Sequence, residues 1–171
     1  HFASYKKYFS SGFYKRRYPK PNIRILNQIS SGLEVKDRVL DIGCGTGRYS
    51  IPLSKRFDIT AVDISHEAVD DLNENIRRRN IVNIDVVIEQ LPMRLDIQKY
   101  NIKFDKVIMV FGVLSHVVEK KHREMLLSDI SRICAKNNCT FLVSVPNLNR
   151  RFKNLEKDDE GIINYLRKDQ N

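Results

Sequence analysis

The chain has 171 residues, 42% of them hydrophobic and 30% charged, which suits one domain with a real core and argues against disorder. Its longest apolar run, Val107 to Leu114, is far short of the roughly 20 residues needed to span a bilayer. The N-terminus is basic and aromatic and lacks the apolar stretch of a secretory leader, so no membrane partner is expected. The net charge is +9, and three cysteines (Cys44, Cys134, Cys139) show no metal-ligand spacing, so no metal is expected and a reduced, cytoplasmic protein is the simplest reading.

Residues 1–30 read as a basic-aromatic arm. The first 24 hold Lys6, Lys7, Lys15, Arg16, Arg17, Lys20 and Arg24, no Asp or Glu, and interleaved Phe and Tyr. Such a segment serves either as a solvated arm whose rings pack over the core or a ligand, or as an RNA-binding arm that uses phosphate contacts and base stacking. Residues 31–150 then alternate apolar runs with helical periodicity, the pattern of βαβ units and a parallel sheet. A strand is expected near Arg38–Ile42 and a helix near Arg48–Lys55, with Pro52 tolerated only in its first turn. Asp58–Asp63 reads as the second strand. Ser65 caps the next helix, Glu67 suits its first turn, and Ala68, Val69, Leu72 and Ile76 make its apolar stripe.

Ile84–Ile88 is the expected third strand and Phe104–Phe111 the fourth, with the run from Val107 read as a strand buried on both faces. A long helix is predicted over Glu119–Lys136, a turn at Asn137–Asn138, and a fifth strand over Thr140–Val145, closed by Pro146. Residues 151–171 form a tail with a short amphipathic segment, Ile162–Leu166. A second basic patch, Arg150, Arg151 and Lys153, follows the last strand.

The stretch Val39–Ser50, V-L-D-I-G-C-G-T-G-R-Y-S, carries the most chemistry. A glycine-rich turn between strand and helix lets backbone approach a ligand where a Cβ would collide. The dinucleotide fingerprint G-x-G-x-x-G would need a third glycine where Arg48 stands, which disfavours a dehydrogenase. A P-loop would need Gly-Lys-Ser/Thr, and none follows. In open parallel sheets ligands bind beyond the carboxyl ends of the strands, at the switch point between strands 1 and 4. That rule selects Asp41 and the glycine loop, Asp63, the segment Glu89–Gln90–Leu91, and Phe111 to His116. Asp63 could accept two hydrogen bonds from ribose hydroxyls, or serve as the acid before a helix N-terminus. His116 is the one obvious candidate base at the strand ends, or a structural histidine at the start of the next helix.

The glycine loop resembles motif I of the class I S-adenosylmethionine-dependent methyltransferases, (hydrophobic)-L-D-(hydrophobic)-G-x-G-x-G. Asp63-Ile64, Leu91-Pro92-Met93, Phe111-Gly112-Val113-Leu114-Ser115-His116 and Ser144-Val145-Pro146-Asn147 extend the resemblance in order over residues 36–147. It implies a doubly wound, mostly parallel sheet in order 3-2-1-4-5 with helices on both faces, and S-adenosylmethionine as cofactor. Asp41, Gly43, Cys44, Gly45 and Gly47 would lie along its amino-acid end, Asp63 on the ribose, Ile64 beside adenine, and Phe111 along the methionine part. Gln90 stands where many relatives carry an acid for the adenine amino group, so Glu89 or Gln90 would read it, with Leu91 beside them. Cys44 is expected to pack rather than to attack.

The two further strands usual in that family are not found after the fifth, and a first residue of His points to a fragment or a processed chain. The activity implied is in-line methyl transfer to an N or O nucleophile of an unidentified acceptor. The RNA reading, with tRNA as one instance, uses the arm. A small-molecule methyltransferase with the arm as a lid and a non-catalytic subunit or fragment are the alternatives. The sequence carries no mark of an oligomeric state.

Overall fold

The computed structural model describes residues 20–90, 92–95 and 102–145. The five strands are β1 (Arg38–Ile42), β2 (Asp58–Asp63), β3 (Ile84–Ile88), β4 (Lys106–Met109) and β5 (Thr140–Val143). All neighbours pair parallel in the order β3-β2-β1-β4-β5. The helices are α1 (Ile23–Ser30), α2 (Ser50–Leu53), α3 (His66–Arg78), α4 (Val113–His116) and α5 (Lys120–Asn137). The fold is thus an open α/β sheet with the expected strand order.

Strand alternation sorts the core into two layers. Val39, Ile59, Ala61 and Ile108 face one layer with Ile29 of α1, Leu53 of α2 and Leu72 of α3. Leu40, Ile42, Val62, Val107 and Met109 face the other, with Leu126, Ile130 and Ile133 of α5. Side chains of this size contribute about 1.5–3 kcal/mol each when fully buried, so both layers pin the register of the central strands.

The first three strands match their sequence reading residue for residue, and Ser65 caps α3 by accepting the Ala68 N–H at 3.2 Å. Pro52 is the third residue of α2, where its missing N–H leaves no helical bond unmade. Four elements differ from expectation, the first being the helix expected near Arg48–Lys55, which is a single turn over Ser50–Leu53. Residues 23–30, read as part of the arm, form α1, which is capped by Asn22 and buries Ile29 in the core. The expected fourth strand is shorter at both ends and stops at Met109, because Phe111 and Gly112 both take left-handed conformations (φ +67° and +79°) that no ladder accepts. The chain then turns into α4, so the apolar run Val107–Leu114 is strand and short helix rather than one strand. The fifth strand ends at Val143, with Ser144 N–H still donating to Met109 O at 3.1 Å.

A buried lysine anchors α1. Lys106 at the start of β4 donates from Nζ to Ile29 O at 2.8 Å and to Ser31 O at 2.6 Å, satisfying carbonyls at the helix C-terminus. Burial holds its ammonium below the usual lysine range. No helix among the described residues is long and apolar enough to cross a membrane. Residues 1–19, Leu91, Pro146, Asn147, the basic patch at 150–153 and the expected helix Ile162–Leu166 lie outside the described residues.

Candidate functional site

The carboxyl ends of β1, β2 and β4 converge on the glycine loop. Parallel pairing sets Asp41 beside Ala61 of β2 and Ile108 of β4, one residue before β1 ends. The chain then turns back on itself, and Gly43 and Cys44 both donate N–H groups to Val62 O, at 2.7 and 3.0 Å. The turn needs glycine for two reasons at position 43. Its φ is +74°, and an added Cβ would stand 2.5 Å from both methyl carbons of Val113 in α4. At Gly47, φ is +82°, and a Cβ would run into Leu72 and lie 3.1 Å from Ile51. The loop therefore packs without side chains against both α3 and α4.

Asp63 ties this loop to β2. Its Oδ2 accepts the Gly45 N–H at 2.7 Å, and its Oδ1 accepts the N–H groups of Ile64 and Ser65 at 2.8 and 2.9 Å. Burial raises its pKa, and these three bonds oppose the rise. A carboxylate offers about four lone-pair sites, so three backbone donors leave room for about one more. The double acceptance from a ribose expected of Asp63 would have to share oxygens that three backbone amides already use. The alternative role, as the acid before the α3 N-terminus, is seen directly: Asp63 holds Ser65, the cap residue.

Asp41 is the second buried carboxylate, and Ser50 Oγ donates to its Oδ2 at 2.6 Å. Burial pushes its pKa up from 3.8 to about 6; the Ser50 bond opposes this, and the nearby charge of Asp63 adds to it. A cation placed beside Asp41 would restore its ionised form. Cys44 is buried, and its thiol is pushed well above the ordinary range by burial and then by the two carboxylates. It packs in the core layer beneath the loop.

The β4 side of the site is built differently. Phe111 donates its N–H to Ser144 Oγ at 2.6 Å, so the Ser-Val after β5 holds the turn after β4. The Phe111 ring lies under the Arg48 guanidinium at 4.2 Å, a cation–π contact. Arg48 also donates from Nε and Nη2 to Lys20 O at 2.9 and 2.6 Å. Asn22 N–H points to the Tyr49 hydroxyl at 3.5 Å. Sequence reasoning missed this cluster. Arg48 entered that reading only as the residue that spoils a dinucleotide fingerprint.

The other expected residues are placed as follows. Glu89 continues the β3–β2 pairing through its N–H to Asp63 O at 2.9 Å. Gln90 is exposed just beyond it, and Ile64 packs partly buried against the second core layer. His116 is exposed at the last residue of α4. Arg94, three residues past Leu91, is clamped by the buried Asp129 of α5: its Nε and Nη2 donate to the carboxylate at 2.7 and 3.2 Å. Leu95 N–H adds a third bond to that carboxylate at 3.2 Å.

A parallel sheet in order 3-2-1-4-5, with a glycine-rich loop after β1 and an acid at the end of β2, defines a Rossmann-like protein of the class I S-adenosylmethionine-dependent methyltransferase superfamily. Residues 39–137 match the family model described as a methyltransferase domain, and the chain belongs to that family, whose cofactor is S-adenosylmethionine. Among curated relatives, ribosomal RNA small subunit methyltransferase A of Wigglesworthia glossinidia brevipalpis is 34% identical over 54% of this chain and 34% of its own length. Ribosomal protein L11 methyltransferase of Thermotoga petrophila is 28% identical over 66% of this chain and 39% of its own. (S)-coclaurine N-methyltransferase of Thalictrum flavum subsp. glaucum is 26% identical over 70% and 32%. The chain thus spans about a third of the length of these relatives. A solved S-adenosylmethionine-dependent methyltransferase from Clostridium acetobutylicum shares the fold, with a TM-score of 0.63 at 19% identity over 86% of this chain and 59% of that one.

Proposed function

We propose that this chain binds S-adenosylmethionine across the carboxyl ends of β1, β2 and β4 and directs its methyl group to an N or O nucleophile. The observation that carries the reading is the pair of buried carboxylates, Asp41 and Asp63, set on either side of a loop that a Cβ would block. Asp41, with burial raising its pKa to about 6, suits the cofactor's ammonium group. Asp63 keeps one acceptor site for a ribose hydroxyl while holding the loop. Gln90 and Ile64 border the place for adenine, Leu91 follows them in sequence, and the Phe111–Gly112 backbone borders the place for the methionine chain. The bound cofactor supplies an electrophilic methyl group. The chain's part is to align the acceptor with it and to shield both from water. His116 is the base for an oxygen acceptor; a neutral amine would need none. Calorimetric titration with S-adenosylmethionine and with its demethylated product tests the reading, and the absence of heat from both would overturn it.

A second observation bears on the acceptor. Arg48 links three things: the glycine loop it follows, the Phe111 ring, and the Lys20 carbonyl, where the basic arm joins the core. This favours the arm as a lid over the cofactor, with a small acceptor beneath it, over the arm as an RNA tether. Deleting residues 1–20 should then speed cofactor release. Loss of tight, steeply salt-dependent RNA binding, with cofactor retention unchanged, would favour the RNA reading instead.

A further inference from the structure

The C-terminus of α5 brings two thiols together. Asn138 takes a left-handed conformation (φ 52°), and its N–H and that of Cys139 both bond to Cys134 O, the latter at 3.2 Å. A left-handed residue followed by a bond from the next N–H back to the carbonyl five residues earlier is the Schellman cap. In that cap the side chains at its two ends meet, usually as an apolar contact. Here those ends are Cys134 and Cys139. Both pack against the second core layer, and both line an open groove of about 480 Å³ bordered by Leu127, Ile130, Ala135 and Phe141. The pair lies far in sequence from Asp41, Asp63 and the glycine loop.

We propose that Cys134 and Cys139 form a reversible disulfide that staples the end of α5 to the start of β5, formed by exchange with a low-molecular-weight disulfide such as oxidised glutathione. A disulfide needs Cα atoms within about 7 Å of each other, and the backbone bond from Cys139 N–H to Cys134 O at 3.2 Å brings the two residues into that range. Cys134 is the attacking thiol. Burial, then the neighbouring Cys134, push the Cys139 thiol up to about 12, so Cys139 holds its proton and is the resolving thiol.

In the first step the Cys134 thiolate attacks one sulfur of oxidised glutathione. The glutathione S–S bond breaks and one glutathione thiolate leaves. The Cys134 sulfur in the mixed disulfide carries no charge, which removes the effect of a Cys134 thiolate on Cys139. Cys139 then gives its proton to solvent and attacks Cys134 Sγ, and the second glutathione thiolate leaves. Two protein thiols are oxidised, one glutathione disulfide is reduced to two thiols, and the two protons released pass to the leaving thiolates.

The test treats the full chain with oxidised glutathione, blocks remaining thiols by alkylation, and maps peptides by mass spectrometry. The expected product has lost two hydrogens, links Cys134 to Cys139, and leaves Cys44 as the single site alkylated after unfolding. Adding reduced glutathione should restore three free thiols. Cys134→Ser and Cys139→Ser should each retain one glutathione on the remaining cysteine of the pair, since no partner is there to displace it. Stable glutathione adducts on both cysteines of the unmodified chain, or a pair that stays reduced in excess oxidised glutathione, would overturn the proposal.

Discussion

The turns that leave β1 and β4 lie side by side at the carboxyl end of the sheet, and they are held in opposite ways. The β1 turn is fixed from within the fold: its amides bond to Val62 O and to the Asp63 carboxylate, and its glycines nest against α3 and α4. The β4 turn keeps a phenylalanine in a left-handed conformation, at a cost of about 1–2 kcal/mol, and is held from outside by Ser144 and Arg48. The first arrangement suits the cofactor cradle proposed above. The second leaves the Phe111 side chain exposed where, on the proposed reading, an acceptor would approach. Gly43 is the joint between the two, since its missing Cβ makes room for Val113 of α4.

The largest expected effect comes from breaking the inner support. Asp63→Ala leaves three backbone N–H groups without their acceptor, two of them in the buried heart of the site. Hydrogen bonds to a charged group contribute about 1.5–3 kcal/mol each and do not add fully, so a loss of about 4 kcal/mol in urea unfolding is expected. Cofactor binding should go with it. A loss below about 1 kcal/mol would mean that the carboxylate is not what holds the loop.

Next in size is the joint. Gly43→Ala combines a disfavoured left-handed residue with a clash against Val113, for an expected loss of about 2–3 kcal/mol. Adding Val113→Ala should recover the part due to the clash and leave the backbone part. No recovery in the double variant would show that the two turns are not coupled through this contact.

The outer support should matter least for stability. Ser144→Ala removes the acceptor of an exposed N–H, for about 1 kcal/mol or less in thermal unfolding. Its effect should appear instead as weaker cofactor affinity, because Phe111 is released. Equal losses from Ser144→Ala and Asp63→Ala would erase the contrast between the turns.

Much of this was legible in the sequence, and the failures have physical causes. β1, β2 and β3 could be placed because buried parallel strands read as apolar runs, and Asp41, Asp63 and the glycines because they sit at strand ends with fixed spacing. The end of β4 was not legible, because apolar composition continues through Phe111 to Leu114 while the backbone changes hand at Phe111. Helix α1 was hidden in a basic segment. Its Asn22 cap and the spacing of Ile25, Leu26 and Ile29 are the signals that could have found it. The Arg48 cluster joins residues far apart in sequence, and so do Lys106 to α1 and Arg94 to Asp129; no local pattern announces such pairs.

The central claim, a cofactor cation held beside Asp41, is tested most directly by the pH dependence of S-adenosylmethionine binding. In the free protein the Asp41 pKa stands near 6 against 3.8 ordinarily, so the neutral buried form stabilises the fold at low pH. That contribution is lost as pH rises through about 6, because the unfolded chain has already released its proton. A bound ammonium reverses the preference and favours the carboxylate. Calorimetric titration between pH ~5 and ~7.5 should therefore show affinity rising through about 6 and then levelling, with proton release at the low end, and Asp41→Asn should flatten the profile. Affinity that is flat across that range in the unmodified protein, or a profile unchanged by Asp41→Asn, would contradict the account.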